Sequence, residues 1–232
     1  MPTILASAII DKAEIILQDT TNVRWTTDEL LGWLNDAQRE IALIKPDASV
    51  KTSAVQLTSG TKQTLGSGST ADAIMLLKVV RNMGTDGTTA GNAIRVVSGE
   101  ILDAQRPGWH SETSTAAVVH AVYDPRNPKQ FYVYPPNTGT GYVELMYSAT
   151  PTAVGTLGST ITVDDVFSNA ILDYILFRAY SKDVEYAGNA ARAEKHYLAF
   201  ANSMGLSTTN IATHNTNLEQ APFNPNLPAA AK

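Results

Sequence analysis

The sequence predicts an α+β protein: a four-helix bundle core, an inserted antiparallel β domain and an extended carboxy-terminal tail. Three observations predict it. Apolar residues recur at three-and-four spacing near both ends of the chain, as in helices that bury one stripe. Between about residues 50 and 150 the pattern changes to short runs rich in Thr, Val, Ile and Tyr, broken by Gly and Pro, as strands and turns require. After Gly205 large apolar residues become sparse, so that stretch has no core of its own. The division that follows is 1–49 and 151–205 for the two halves of the helical domain and 50–150 for the β insert. Residues 206–232 are left as a tail, an arm for a partner or a neighbouring copy.

The first helix is expected over 4–19, with Leu5, Ala8, Ile9, Lys12, Ile15 and Ile16 as its buried stripe and TTN at 20–22 ending it. The second has the clearest start. Thr26 stands as N-cap and Glu29 follows three residues on, a capping box, with Trp25 and Leu30 placed as a hydrophobic staple. Leu30, Leu34, Ala37, Ile41 and Ile44 form its ladder, and Pro46 stops it. Helical pattern resumes near 164, where Phe167, Ile171, Tyr174, Ile175 and Arg178 are flanked by further apolar residues, a surface wide enough for burial on most sides. A last helix over roughly 184–204 carries Tyr186, Ala190, Ala193, Tyr197, Ala201 and Met204, with Gly205 suited to C′. Leu34, Ile41, Ile171, Ile175 and Tyr197 are the expected common core.

Within the insert, strands are expected at 54–58, 62–66, 94–98, 116–122, 130–134 and 142–148. In the last, Val143, Leu145 and Tyr147 alternate with Tyr142, Glu144 and Met146, as a strand with one covered face does. Asp124-Pro125-Arg126-Asn127 and Pro135-Pro136-Asn137 read as turns. Residues 72–82 fit helix and strand equally well.

Composition narrows the function. There is no cysteine, which removes disulfides, thiolate catalysis and cysteine-ligated zinc. The amino terminus lacks the basic start and long apolar run of a signal peptide, and no run is long enough to span a bilayer, so a chain made in the cytoplasm without a membrane partner is expected. Net charge is −5 with no run of Lys or Arg, which disfavours binding by phosphate neutralisation. Only 17% of residues are charged, a surface easily buried against a partner. The four histidines, His110, His120, His196 and His214, share no metal-binding spacing, and Asp164-Asp165 sits where carboxylates cap a helix start. Ser67-Gly68-Ser69 lacks the ending of a phosphate-binding loop. No catalytic residue, metal or cofactor is therefore expected. The aromatic run FYVYPP at 131–136 offers stacking surfaces, but a strand packed on both faces accounts for it, and Trp109 is read as an anchor pinning a long loop.

Three stretches resemble a known family: ILQDTTNVRWTTDELLGWLNDAQREIALIKPDA at 16–48, YDPRNPKQFYVYPPNTGTGYVELMYSATP at 123–151, and AILDYILFRAYSKDVEYAGNAARAEKHYLAFANSMG at 170–205, with PGWH at 107–110 between them. In order and spacing they resemble the head–tail adaptors of short-tailed bacteriophages, also called tail tubular protein A or gatekeeper-type connectors. The resemblance spans nearly all of 4–205, and Trp25, Thr26, Glu29, Trp33 and Trp109 are the candidate structural anchors. It implies a ring of twelve subunits docked beneath the portal at the portal–tail junction of the virion. Such a ring extends the DNA channel, passes the duplex during ejection without binding its sequence, and carries the tail nozzle. The tail is then an arm ordered by the portal or a neighbour. Phe223, stiffened by Pro222 and Pro225, is its best docking anchor, because one large apolar group on a stiff segment loses little further entropy on binding.

Two rival readings have distinct signatures. A neck or completion protein of a long-tailed phage would meet a tube-forming partner rather than a nozzle. A secreted carbohydrate-binding or wall-degrading domain would expose the aromatics of 131–134 in a groove and, for hydrolysis, set two carboxylates across it.

Overall fold

A computed structural model of the chain describes residues 2–205 apart from 184 and 187. Among these, the helices are α1 (Ala6–Leu17), α2 (Thr27–Ile44), α3 (Gly99–Gln105), α4 (Ser168–Lys182) and α5 (Asn189–Ser203). The strands are β1 (Val50–Gln56), β2 (Gly60–Thr64), β3 (Ala73–Asn82), β4 (Arg95–Val96), β5 (His120–Tyr123), β6 (Gln130–Asn137) and β7 (Tyr142–Ala149). The fold is α+β, with one all-antiparallel and one mixed sheet.

Helix α2 begins as its sequence requires. The Thr26 hydroxyl accepts from the Glu29 N–H and the Glu29 carboxylate accepts from the Thr26 N–H, closing the capping box. Leu30, Leu34, Ala37 and Ile41 are fully buried, and Trp25 joins the same cluster. Replacing Thr26 with alanine is expected to cost about 1 kcal/mol. A thermal or denaturant midpoint equal to the parent's would show that the cap does not hold this helix start.

Four helices line one apolar cluster, and α4 packs against each of α1, α2 and α5. Broad burial of α4 follows: Ala170, Ile171, Ile175, Leu176, Ala179 and Tyr180 are all covered. Arg178, expected in that stripe, is exposed.

On α1 and α5 the buried face only partly matches the expected one: of the expected ladders Ile9, Ala193 and Met204 are buried. Helix α1 buries Ala6, Ile9, Ile10, Ala13 and Leu17, leaving Leu5, Ala8, Lys12, Ile15 and Ile16 exposed. Helix α5 buries Ala193, Phe200 and Met204 with Asn189, so Tyr197 remains 46% exposed and is not a core residue. Tyr186 and Ala190 are exposed as well. Both helices are apolar around more than one stripe, and periodicity alone does not choose between overlapping ladders. Gly205 takes the left-handed conformation (φ +71°) just after α5, as a C′ glycine does.

The strap from Thr150 to Asp164 closes the helical part, burying Val154, Ile161 and Val163 in its core. Two amides of α2 tie it down. The Asn35 side chain donates to the Val154 carbonyl (3.0 Å) and accepts from its N–H (2.7 Å). Gln38, 1% exposed, accepts from the Thr162 N–H (2.6 Å) and hydroxyl (2.9 Å).

The amino-terminal segment is clamped at the same place. The Asp165 carboxylate accepts from the Thr3 hydroxyl (2.6 Å), the Thr3 N–H (2.8 Å) and the Ile4 N–H (3.1 Å). These donors, the Thr3 hydroxyl foremost, hold the Asp165 carboxyl below its ordinary value. A depressed carboxylate stabilises the fold above its unfolded pKa and loses that contribution as pH falls through the folded one. Stability is thus expected to decline below about pH 4, and Asp165→Asn to remove part of that decline. Unfolding midpoints measured against pH test this; superimposable profiles for variant and parent would exclude the clamp.

In the β part, β7 is the centre of a three-stranded sheet in the order β1-β7-β3, and β6 lies inside a four-stranded sheet in the order β2-β6-β5-β4. The ambiguous stretch at 72–82 is strand β3. Val143, Leu145 and Tyr147 of β7 and Phe131 and Val133 of β6 are buried in one cluster to which both sheets contribute. Three further features depart from the sequence pattern. Strand β4 has only two residues, and it pairs with β5 in parallel rather than antiparallel. Parallel neighbours need a crossover connection, and the chain between them supplies one containing α3, a helix the sequence pattern does not predict. Pro135 and Pro136 fall within β6 rather than in a turn, opposite an irregularity in β2 where the ladder skips from Gly60 to Lys62. They have no N–H to donate, but the Pro136 carbonyl still accepts from Thr115 (2.8 Å).

Candidate functional site

The polar groups that invite a chemical reading are spent on structure. The Asp164 side chain accepts from the Val166 N–H (3.1 Å), capping the short turn before α4. His110 stacks on Trp109 and meets the Thr61 hydroxyl at 2.8 Å. His120 stacks on Tyr134. His196 lies 2.9 Å from Asp173 and stacks on Tyr180. His214 lies outside the described residues. Among the described residues no group of His, Asp and Glu is placed to hold a metal ion, and no helix is long and apolar enough to cross a membrane.

The aromatic run divides as a strand does. Phe131 and Val133 point into the core, while Tyr132 and Tyr134 meet the edge of Trp109, each with ring centroids 6.3 Å away. Trp109 is 2% exposed and donates its indole N–H to Asp103 (2.9 Å). The loop that carries it is closed further by Arg106, which bonds the Tyr134 hydroxyl (2.6 Å) and lies near Glu112. These rings are occupied with one another and form no open platform.

The remaining sequence-selected residues gather at one end of the helical part. Arg24 bonds Asp183 and lies over the rings of Trp25 and Tyr186. Glu29, besides its capping role, accepts from Lys182 (2.6 Å). The Asp19 carboxylate accepts from the N–H groups of Trp25, Arg24 and Val23, which holds its pKa low and shapes the turn between α1 and α2. Trp33 is half-buried against the helical cluster. Phe223, Pro222 and Pro225 lie outside the described residues.

Sequence reasoning passed over a set of buried amides. Asn82 donates to the carbonyls of Asn92 (3.0 Å) and Val118 (2.8 Å) and accepts from the Val118 N–H (2.7 Å). Asn137, fully buried, donates to the Ala116 carbonyl (3.0 Å) and accepts from the Gly139 N–H (2.8 Å). Together they fix the segment 116–118 between the sheets. Asn82 ends an apolar run and Asn137 follows two prolines, so both look like turn residues in sequence.

What stays open is apolar surface. The outer face of α1 presents Leu5 (42% exposed), Ile15 (66%) and Ile16 (45%), with Ala8 and the charged Lys12 between them. A second apolar strip runs between α4 and α5, where Phe177 and Tyr197 rings lie 5.1 Å apart beside Ala190 and Ala193. Scattered apolar residues are normal on a protein surface, whereas apolar residues grouped on one face mark a contact surface.

Residues 5–222 match the family described as SU10 adaptor protein, and the chain belongs to that family. It is a family of structural phage head–tail adaptors, so the chain is a non-catalytic adaptor or connector. No curated protein matches the chain.

Proposed function

We propose that this member of the SU10 adaptor family assembles as a twelve-fold ring at the portal–tail junction of the virion. There it docks on the portal, extends the DNA channel and carries the tail nozzle. The observation that carries the reading is the second apolar face of α1. Beside its buried stripe the helix leaves Leu5, Ile15 and Ile16 open, with the Lys12 stem lying between them, a face that a partner can cover while the amine stays in water. In a ring that partner is the neighbouring copy. The net charge of −5 suits a channel wall along which a duplex slides without adhering. The arm after Gly205, with Phe223 between Pro222 and Pro225, reaches the portal or the next subunit.

Ile16→Asp tests the role of α1. The side chain is about half in water, so the substitution is expected to cost the isolated chain no more than about 1.5 kcal/mol and to leave it folded. A carboxylate forced into an apolar contact costs at least about 1.4 kcal/mol, a factor of ten, per interface. Joining of filled heads to tails, counted as infectious particles, should therefore drop at least about tenfold. Normal particle yield from the folded variant would remove α1 from the interface.

A further inference from the structure

Two open faces of this chain fit one another better than either fits a copy of itself. On α1 the exposed residues Leu5, Ala8, Lys12 and Ile15 recur at three-and-four spacing with Ile16 beside them, the seam that one helix offers to another. On α5 a seam of the same kind runs through Ala190, Glu194, Tyr197 and the half-buried Ala201. It borders a groove of about 390 Å³ whose opposite wall is Phe177 and Ser181 of α4 and whose floor is the buried Ala193. Both seams are open to water, so they do not cover one another within one chain.

Charge separates the possible pairings. Each seam carries a single charged residue, Lys12 on α1 and Glu194 on α5, and among the described residues neither has an ion-pair partner. Two α1 seams centred on their charges bring ammonium towards ammonium, and two α5 seams bring carboxylate towards carboxylate. Only α1 against α5 opposes unlike charges, and complementary charge at a contact selects the partner and sets the register.

Size sets the direction. With Lys12 opposite Glu194 and the helices antiparallel, Ile15 and Ile16 fall opposite Ala190, Ala8 opposite Tyr197 and Leu5 opposite Ala201. A large side chain then meets a small one at every step, as interdigitated packing requires. A parallel pair sets Ile15 and Ile16 against Tyr197 and Ala8 against Ala190, which crowds one end and leaves a gap at the other.

We propose that α1 of each copy lies antiparallel in the α4–α5 groove of the next copy, with Lys12 beside Glu194 and Ile16 over Ala190. The partner, a second copy, comes from the ring reading; what is added is the surface of that copy that α1 meets. A contact between two different faces of one chain is head-to-tail, the kind that closes into rings, and it holds for any number of subunits.

One helix pair is a small contact by itself, so the test is made in the assembled particle. Lys12→Glu and Glu194→Lys alter exposed side chains, and the unfolding midpoints of the purified variants should stay close to the parent's. Each single change should lower the yield of infectious particles at least about tenfold, because like charges then meet at every contact round the ring. The double variant restores the pair with its signs exchanged and should recover to within about threefold of the parent. A double variant as defective as the worse single, or a harmless Glu194→Lys beside a defective Lys12→Glu, would overturn the pairing. The absence of native cysteine gives a second readout. Particles built from a chain carrying Ile16→Cys and Ala190→Cys should, on mild oxidation, yield disulfide-linked sets of two, three and more chains, since a bridge needs the two Cα atoms within about 7 Å. Leu43→Cys with Ala190→Cys is the control, Leu43 being 66% exposed on α2, and should yield single chains. Several copies at the junction without the test cross-link, or with equal cross-linking in the control, would overturn the groove contact and leave the ring standing. A junction without the chain would overturn both.

Discussion

Replacing Gly141 with alanine is expected to cost about 3 kcal/mol or more. A Cβ at that position would stand 2.0 Å from the Ala116 carbonyl oxygen and 2.6 Å from the Asn137 amide nitrogen. Neither neighbour is free to retreat. The Ala116 carbonyl is held by Asn137, Asn137 accepts from the Gly139 and Gly141 N–H groups, and Val118 is bonded on both sides by Asn82. Relief of the clash therefore breaks a buried polar network, whose freed groups are left without water. Gly155→Ala is the matched control, with nothing within 4 Å of the added carbon. It should stay within about 0.5 kcal/mol of the parent. Equilibrium denaturation of the two variants decides the point; a Gly141→Ala midpoint close to that of Gly155→Ala would contradict the close packing of 116–118 between the sheets.

Phe200→Ala is expected to cost about 3–5 kcal/mol, whereas Tyr197→Ala should cost no more than about 1.5 kcal/mol. Phe200 is 1% exposed and stands edge-on to Tyr174, so its loss opens a cavity at the junction of α4 and α5. Tyr197 keeps much of its surface in water and loses chiefly its contact with Phe177. The pair distinguishes the two faces of α5 in one experiment. Should Tyr197→Ala prove the more damaging, α5 would be rotated about its axis, with Tyr197 rather than Phe200 turned to the core.

The elements that were legible in the sequence are those with a single ladder and a marked boundary. In α2 the capping box, the staple position and Pro46 bracket one stripe, and Leu30, Leu34, Ala37 and Ile41 of that stripe are fully buried. In β7 strict alternation identifies the covered face, and Val143, Leu145 and Tyr147 occupy it. α1 and α5 were legible as helices but not in orientation. Leu5, Ile15 and Ile16 are as apolar as Ile10 and Leu17, and the choice between them is made by tertiary contacts with α2 and α4. The same ambiguity that misleads a periodicity argument is what an adaptor needs, since a face spared by its own fold remains for a partner. The parallel β4–β5 pair was illegible for another reason: strand direction depends on a crossover, and two residues of strand carry almost no signal. The buried amides were missed because Asn and Gln in sequence resemble surface or turn residues. Only the segments they hold, at 116–118 and 154–163, give them their role.

Cryo-electron microscopy of the native particle tests the central claim most directly. The account predicts twelve copies of this chain in a closed ring between portal and tail, with the outer face of α1 covered by a neighbouring copy. A junction of another symmetry, α1 facing solvent in the assembled particle, or a junction that contains no copy of the chain would contradict it.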